Sequence, residues 1–378
     1  MIDISAELEE MLAGYSYQIH WRIHSWLNEE VIAEDIPAFD VVEEGDGSLR
    51  VPERLTFRVP LEADGVSWVP TTAGHPLAVY GQRILAQVGV SMGFGAVEWL
   101  NRGIFLLNSA QTDGNAISVE CLGLLQLLDE AVLASEFQPA TGATLKSALR
   151  QLIEPGITVD YDEAPTDRAI PSSAVTWSDN RLDDVYTILD AWPAQGRITH
   201  EGHLEILDVP EDPEPGDEVF HFTDGVGGTV MTFQANLTRE GGFNAVIAEG
   251  QYADDRGALA GTPIIHTAVD VDVDSPFSLY GNFSPYLVPY HFASPLLSEH
   301  VETLLAATTR LRHLRQQAAQ TIEISCVPHP ALALGDPVMV TSSRLGISER
   351  MGRIATYKLP YSADGGEMTL TVALPGVA

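Results

Sequence analysis

The sequence predicts a β-rich α+β chain: two β-units, each carrying a packed helix, separated by a small α/β domain. Three observations point there. Apolar and polar residues alternate towards both ends of the chain, the period of a strand with one buried face. Between positions 144 and 192 the apolar spacing changes to three and four, the period of a helix. A Pro-rich acidic stretch, VPEDPEPGDE at 209–218, then separates this middle from renewed β character.

The first unit covers 1–135. Tyr17, Ile19, Trp21 and Ile23 alternate with Gln18, His20, Arg22 and His24. Leu55, Phe57 and Val59 share one face of the stretch Arg50–Leu61, and Arg83–Val90, Gly103–Leu107 and Ala116–Glu120 read as further strands. Turns are expected at Glu44-Gly45-Asp46-Gly47, Ala63-Asp64-Gly65 and Thr112-Asp113-Gly114. Leu122, Leu125, Leu128 and Val132 predict a short helix ending near Leu133, laid on a barrel or sandwich.

The middle domain covers 140–210. Thr144 caps a helix with Leu145, Leu149, Leu152 and Ile153 inward, stopped by Pro155-Gly156. A strand at Ile157–Val159 follows. Ser178 or Asp179 caps a second helix that turns Leu182, Val185, Leu189 and Trp192 inward and ends at Pro193. Arg197–Thr199 and Leu204–Leu207 flank Glu201-Gly202 as a hairpin. The second β-unit covers 217–378, with strands at Val219–Phe222, Thr229–Leu237, Asn244–Ala248 and Ile264–Val273. It contains an insertion at 250–297, aromatic and proline-rich from Ser275 to Ser298, and a helix at 299–318 capped by Ser298. The expected apolar stripe of that helix is Val301, Leu304, Leu305, Leu311 and Leu314, with Arg310, Arg312 and Arg315 at its negative end. Strands at Thr321–Val327, Pro337–Thr341, Arg353–Leu359 and Glu367–Leu374 finish the chain.

Charge excludes several functions. The chain has 53 acids against 20 bases, a formal net charge of −33, and its only lysines are Lys146 and Lys358. A domain that grips nucleic acid by its phosphates needs a basic face, and docking onto an anionic membrane needs one too. Cys121 and Cys326 sit in apolar stretches and read as buried thiols. The acidic start MIDISAELEEMLAGY is not a signal peptide, and no window approaches 18 uninterrupted apolar residues. The expectation is a soluble chain made in a cytoplasm.

Motifs that suggest chemistry fail on geometry. Gly89-Val90-Ser91-Met92-Gly93 matches a nucleophile elbow, but a turn and another strand follow it where a helix is required. Asp270, Asp272 and Asp274 begin like a calcium loop, yet Ser275 and Gly281 stand where glycine and a bidentate glutamate are needed. A looser cation site is the alternative to aspartates on the wet side of a strand. His200 and His203 lack metalloprotease spacing. His20 and His24 on one strand face lie roughly 13 Å apart, too far for one metal. Gly225-Val226-Gly227-Gly228 lacks a Walker lysine and reads as a turn. The sequence assigns no catalytic, metal or cofactor residue.

Several stretches together resemble the phage tail hub family, also called baseplate hub or tail-associated minor tail proteins. They are Glu98-Trp99-Leu100-Asn101-Arg102-Gly103-Ile104-Phe105, then ISVECLGLLQLLDEA at 117–131, and in the middle ATLKSALRQLIEPGITV, the Pro171 region, NRLDDVYTILDAW and GRITHEGHLEI. REGGFNAVIAEG at 239–250, DVDVDSPFSLYG at 270–281, Ser294-Pro295-Leu296-Leu297 and HPALALGDPV at 329–338 follow in family order. The match spans 15–375 and is most similar to hubs of siphophages that infect actinobacteria.

The resemblance implies a structural protein, not an enzyme, with two tail-tube-like β-barrels per chain. A homotrimer would then present a pseudo-sixfold ring at the virion tail tip. The distal tail protein or tail tube would lie above it and a central fibre or tip protein below. The tape measure protein or DNA would pass through its lumen. Lumen candidates are Glu43, Glu44 and Asp46, because an acidic wall lets a phosphate backbone slide. Subunit-interface candidates are Arg310, Arg312, Arg315, Leu332, Gly335 and Asp336. The alternatives are a hexameric distal tail adaptor, a virion glycan hydrolase with two facing carboxylates, and a carbohydrate-binding module that needs Tyr280, Tyr286 and Tyr290 exposed.

Overall fold

The computed structural model describes residues 2–14, 16–171, 175–177, 180–225, 228–239, 241–253, 259–273, 275–317, 320–362 and 365–374. The chain opens with α1 (Ala6–Leu12), a helix the sequence reading did not foresee. The Ser5 side chain caps it by accepting from Leu8 N–H, and the Glu98 carboxylate accepts from both Ser5 N–H and Ser5 Oγ–H. Leu8 and Leu12 bury against Val90, Leu100 and Ala331.

The first unit continues with β1 (Ile19–Leu27), β2 (Glu30–Ala33), β3 (Phe39–Asp46), β4 (Glu53–Pro60), β5 (Glu62–Ala63), β6 (Val66–Ser67), β7 (Arg83–Gly93), β8 (Ala96–Asp113), β9 (Ala116–Gly123) and α2 (Gln126–Glu130). Leu122 belongs to β9, so the expected helix is one short turn and a half. The middle holds α3 (Leu145–Ile153), β10 (Val159–Asp160), α4 (Arg181–Ala191), β11 (Ala194–Ile198) and β12 (Leu204–Asp208). Thr144 and Ser147 form a reciprocal capping box on α3. Asn180 caps α4 through Leu182 N–H and Asp183 N–H, while the expected caps Ser178 and Asp179 lie outside the described residues.

The second unit comprises β13 (Phe220–Thr223), β14 (Val230–Asn236), β15 (Ala245–Ala253), β16 (Leu259–Val269), β17 (Pro289–Ala293), α5 (His300–Gln317), β18 (Gln320–Cys326), β19 (Pro337–Ser342), β20 (Ile347–Pro360) and β21 (Met368–Leu374). β16, β15 and β17 form a separate three-stranded sheet, and α5 packs on it.

Among the described residues no sheet closes on itself, so the two separate barrels that the resemblance implies are not seen. Thirteen strands drawn from both units form one sheet, in the order β14-β18-β21-β20-β3-β4-β9-β8-β7-β1-β2, with β19 on β20 and β13 on β19. The join is the antiparallel ladder of β3 with β20, which sets Glu44 opposite Lys358 and Gly45 opposite Tyr357. The edge that β3 would offer for closing its own unit is paired to the other one instead. The core follows the sheet: Ile23, Leu55, Phe57 and Ile117 of the first unit pack in one cluster with Ile322, Ile324, Leu370 and Val372 of the second. A second cluster joins α3 and α4 to Leu124 and Leu125 on one side and to Leu296, Leu297 and Ala306 on the other.

The stripe expected on α5 is corrected in part. Val301, Leu304 and Leu305 are exposed, while Thr303, Ala306, Ala307, Leu311 and Leu314 are buried. Small residues win this face because the helix lies close to β15. A Cβ at Gly250 would run into the Leu297 carbonyl and the Thr303 hydroxyl.

Candidate functional site

Strand alternation gives the large sheet two unlike faces. One packs on the shared core. The other is open and polar across the join between the units. It carries Glu44 and Asp46 from β3, Arg54 and Arg58 from β4, Glu120 from β9, Lys358 from β20 and Glu323 from β18. Threonines fill the spaces, and Thr356 and Thr371 share a 2.9 Å hydrogen bond. A hollow of about 530 Å³ sits on this face astride the join. Its charges pair across strands: Lys358 with Glu44 at 3.0 Å, Arg54 with Glu120 at 2.6 Å, and Arg58 with Asp40 at 3.7 Å. The face is therefore mixed, with an acidic excess, and not a uniform acidic wall.

Glu43 is not on it. The carboxylate is 1% exposed and points into the core, so it cannot line a channel, and the lumen assignment is corrected for this residue. Arg102 donates to Glu43 from Nε (2.9 Å) and from Nη2 (2.7 Å), and the hydroxyls of Tyr357 and Tyr361 donate to the same carboxylate. Arg102 Nη1 donates to the carbonyls of Pro330 (2.6 Å) and Leu332 (2.8 Å). One guanidinium of the first unit thus grips a loop of the second. Burial alone would push the Glu43 carboxyl up, but Arg102 and the two phenols bring it below the usual carboxylate range. Both phenols are pushed far above their ordinary value by burial and by the Glu43 charge. Burial also takes the nearby His329 imidazole down to about 4.

Glu53 is the odd member of this neighbourhood. Its Oε2 is buried without a hydrogen-bond partner. Burial, then the Glu43 charge, push its carboxyl up to about 7. Glu43 and Glu53 both border a pocket of about 320 Å³ between the two units and the β11–β12 hairpin. They do not make a glycosidase pair. Both Glu43 oxygens are held by Arg102 and the two tyrosines, which leaves no free lone pair facing a substrate.

The interface candidates are mostly spent within the chain. Leu332 is fully buried, and Asp336 is buried and accepts from Ala333 N–H. Both are turned inward and build the loop that Arg102 grips. Gly335 is exposed. Arg310 pairs with Asp190 at 2.9 Å, Arg312 with Glu211 at 3.8 Å, and Arg315 with Asp270 at 3.5 Å and Asp272 at 2.9 Å. These arginines tie α5 to acids of its own chain. Arg315 also answers the cation question, since a guanidinium occupies the position between Asp270 and Asp272. Asp274 lies outside the described residues, as do Val226 and Gly227 of the glycine-rich turn.

Ser91 sits at the end of β7, and its hydroxyl lies 2.9 Å from His20 Nε2 on the paired strand β1. β7 runs through a tight hairpin into β8, so the strand-to-helix elbow is absent there. Both thiols are buried, and burial pushes Cys326 up to about 12. Tyr280 and Tyr286 are each 76% exposed. Tyr290 is half-buried between the Phe243 ring at 5.5 Å and the Arg310 guanidinium at 5.1 Å. The aromatic trio a sugar platform needs is thus not exposed together. Among the described residues no helix is long and apolar enough to cross a membrane.

No family model and no curated protein matches the sequence. The fold, in contrast, is shared with solved tail proteins along nearly the whole chain. The tail protein from Neisseria meningitidis MC58 superposes with a TM-score of 0.60 at 10% identity, covering 93% of this chain and 96% of its own. The 43 kDa tail protein of prophage MuSo2 from Shewanella oneidensis gives 0.55 at 11%, covering 94% and 98%. A chain of the Francisella PdpA–VgrG complex gives 0.52 at 11%, covering 98% of this chain but 61% of its own.

Proposed function

We propose that this chain is a structural protein of a phage-type tail, working as the hub at the distal end. Three copies form a ring in which six β-units continue the tail tube, and the open polar face lines the channel. The observation that carries this reading is the sheet that crosses from one unit to the other at β3 and β20 with one face left open and polar. The fold shared with tail proteins over nearly their full length supports it. In this reading Glu44 and Asp46 face the channel, where Lys358, paired with Glu44, and Arg54, paired with Glu120, moderate the negative wall. DNA carries one charge per ~1.7 Å and meets a surface that does not hold it. The neighbours are other tail components, a tube or distal protein above and a tip protein below, and the place of action is the virion tail tip.

Imaging the recombinant assembly or the particle with no symmetry imposed tests this. The expected result is three copies per ring with Glu44 and Asp46 on the channel surface. Six copies would replace the hub with the hexameric distal adaptor, and a basic channel wall would overturn the sliding role.

A further inference from the structure

Away from the sheet face, two imidazoles meet. His266 Nε2 lies 2.9 Å from His300 Nδ1, with the ring centroids 5.1 Å apart and the planes 85° to each other. His266 stands on β16 opposite Ala248 of β15. Ile264 and Ala268, two residues to either side, are buried on the same strand face, which α5 covers. His300 is the first residue of α5.

Both rings stand on held elements. Glu302 fixes the start of α5 by accepting from Ser298 N–H (2.9 Å) and Glu299 N–H (3.2 Å), and its carboxylate pairs with Arg168 at 3.1 Å. The Tyr252 ring packs edge-on against His300 at 5.4 Å. His300 is exposed and His266 is half-buried, so solvent and dissolved ions reach the pair.

Two neutral imidazoles with converging nitrogens are a donor set for a late first-row divalent ion. Metal–nitrogen bonds of ~2.0–2.1 Å at a tetrahedral angle put the two nitrogens ~3.3 Å apart, a small opening from the present contact. The proton balance closes. In the metal-free pair one facing nitrogen carries a hydrogen and the other a lone pair. On binding, that hydrogen moves through water to the far nitrogen of the same ring. Both facing nitrogens then coordinate, and no net proton is released. No group of three or more His, Cys, Asp or Glu could hold a metal among the described residues, so water fills the remaining positions.

We propose that His266 and His300 form a two-imidazole site for a divalent Cu, Ni or Zn ion, clipping the start of α5 to the three-stranded sheet. The test uses the full chain, stripped of metal by a chelator and titrated with copper(II) chloride. Beside it runs the His266→Gln/His300→Gln variant, which keeps the other nine of the 11 histidines. The wild type should bind one Cu²⁺ at least ~10-fold more tightly than the variant, the lower end of what even an outer-shell loss costs a metal site. Ni²⁺ and Zn²⁺ should bind more weakly than Cu²⁺. Pulsed EPR of the wild type with one equivalent of Cu²⁺, which needs no variant to fold, should show two coordinated imidazole nitrogens. Equal titrations for the two proteins, or a single coordinated imidazole, would overturn the proposal.

Discussion

Arg102 of β8 and Glu43 of β3 form a two-point ion pair, 2.7 and 2.9 Å long, inside the core shared by the two β-units. Two tyrosine hydroxyls saturate the carboxylate, and two loop carbonyls take another guanidinium nitrogen. Removing one partner leaves a buried charge uncompensated, which costs ~3–5 kcal/mol. Arg102→Met should therefore lower the unfolding free energy by that order in denaturant titrations. Adding Glu43→Gln should recover a large part, because the buried charge goes with it. The folded Glu43 carboxyl titrates below its usual value, so the wild-type pair contributes fully above pH ~4.5 and is lost as the pH falls. A double variant no more stable than Arg102→Met would remove the pair as a pin.

Glu53 has the opposite sign. Its folded carboxyl titrates near 7 against an ordinary 4.5, so the native state favours the protonated form. That contribution is complete below pH ~4.5 and is lost as the pH rises through about 7. Glu53→Gln mimics the neutral form. It should match the wild type at pH 4 and exceed it at pH 8, by up to ~3 kcal/mol at 1.36 kcal/mol per unit. Parallel stability profiles of the two proteins across this range would refute the assignment.

What the sequence disclosed follows from how local each cause is. The helices α3 and α4 were legible because their stops and apolar stripes, and for α3 the Thr144 cap, lie within their own segments. Leu145, Leu149, Leu182 and Val185 are buried as expected, while the α4 cap falls on Asn180 and not on Ser178 or Asp179. β3 was not. In Val41-Val42-Glu43-Glu44 either alternate set can face inward, and a one-residue slip exchanges the two faces. The choice is made by Arg102, which reaches Glu43 from a strand far along the chain. The pairing of β3 with β20 is likewise decided by contacts between distant segments, so two repeated β-units read as two closed bodies. On α5 Leu311 and Leu314 are buried as expected, but Val301, Leu304 and Leu305 marked the wrong face, because the seam with β15 selects small side chains in the first turns.

Gly45 should be irreplaceable at the join. The Tyr357 ring lies where a Cβ of residue 45 would stand, and these two residues face each other across β3 and β20. Gly45→Ala pushes against a ring that Glu43 and the core already hold, an overpacking that costs ~1–3 kcal/mol. Thermal unfolding of Gly45→Ala should show the loss. The same substitution at Gly47, beside the end of the ladder, should cost less. Equal effects at both positions would mean that the ring moves freely.

Arg315 takes the place a cation would hold between Asp270 and Asp272. The Asp270 side chain is fully buried and accepts from the Ser275 hydroxyl and Asp272 N–H. Without the guanidinium its charge is left under-compensated, a loss of ~1–3 kcal/mol or more. Arg315→Ala should lower the unfolding temperature accordingly. Two carboxylates and a hydroxyl around the vacated position are oxygen ligands suited to Ca²⁺. Millimolar calcium should therefore raise the unfolding temperature of Arg315→Ala while leaving the wild type unchanged, because there the arginine and the ion compete for one position. A wild type that responds to calcium as strongly as the variant would show that the ion binds elsewhere.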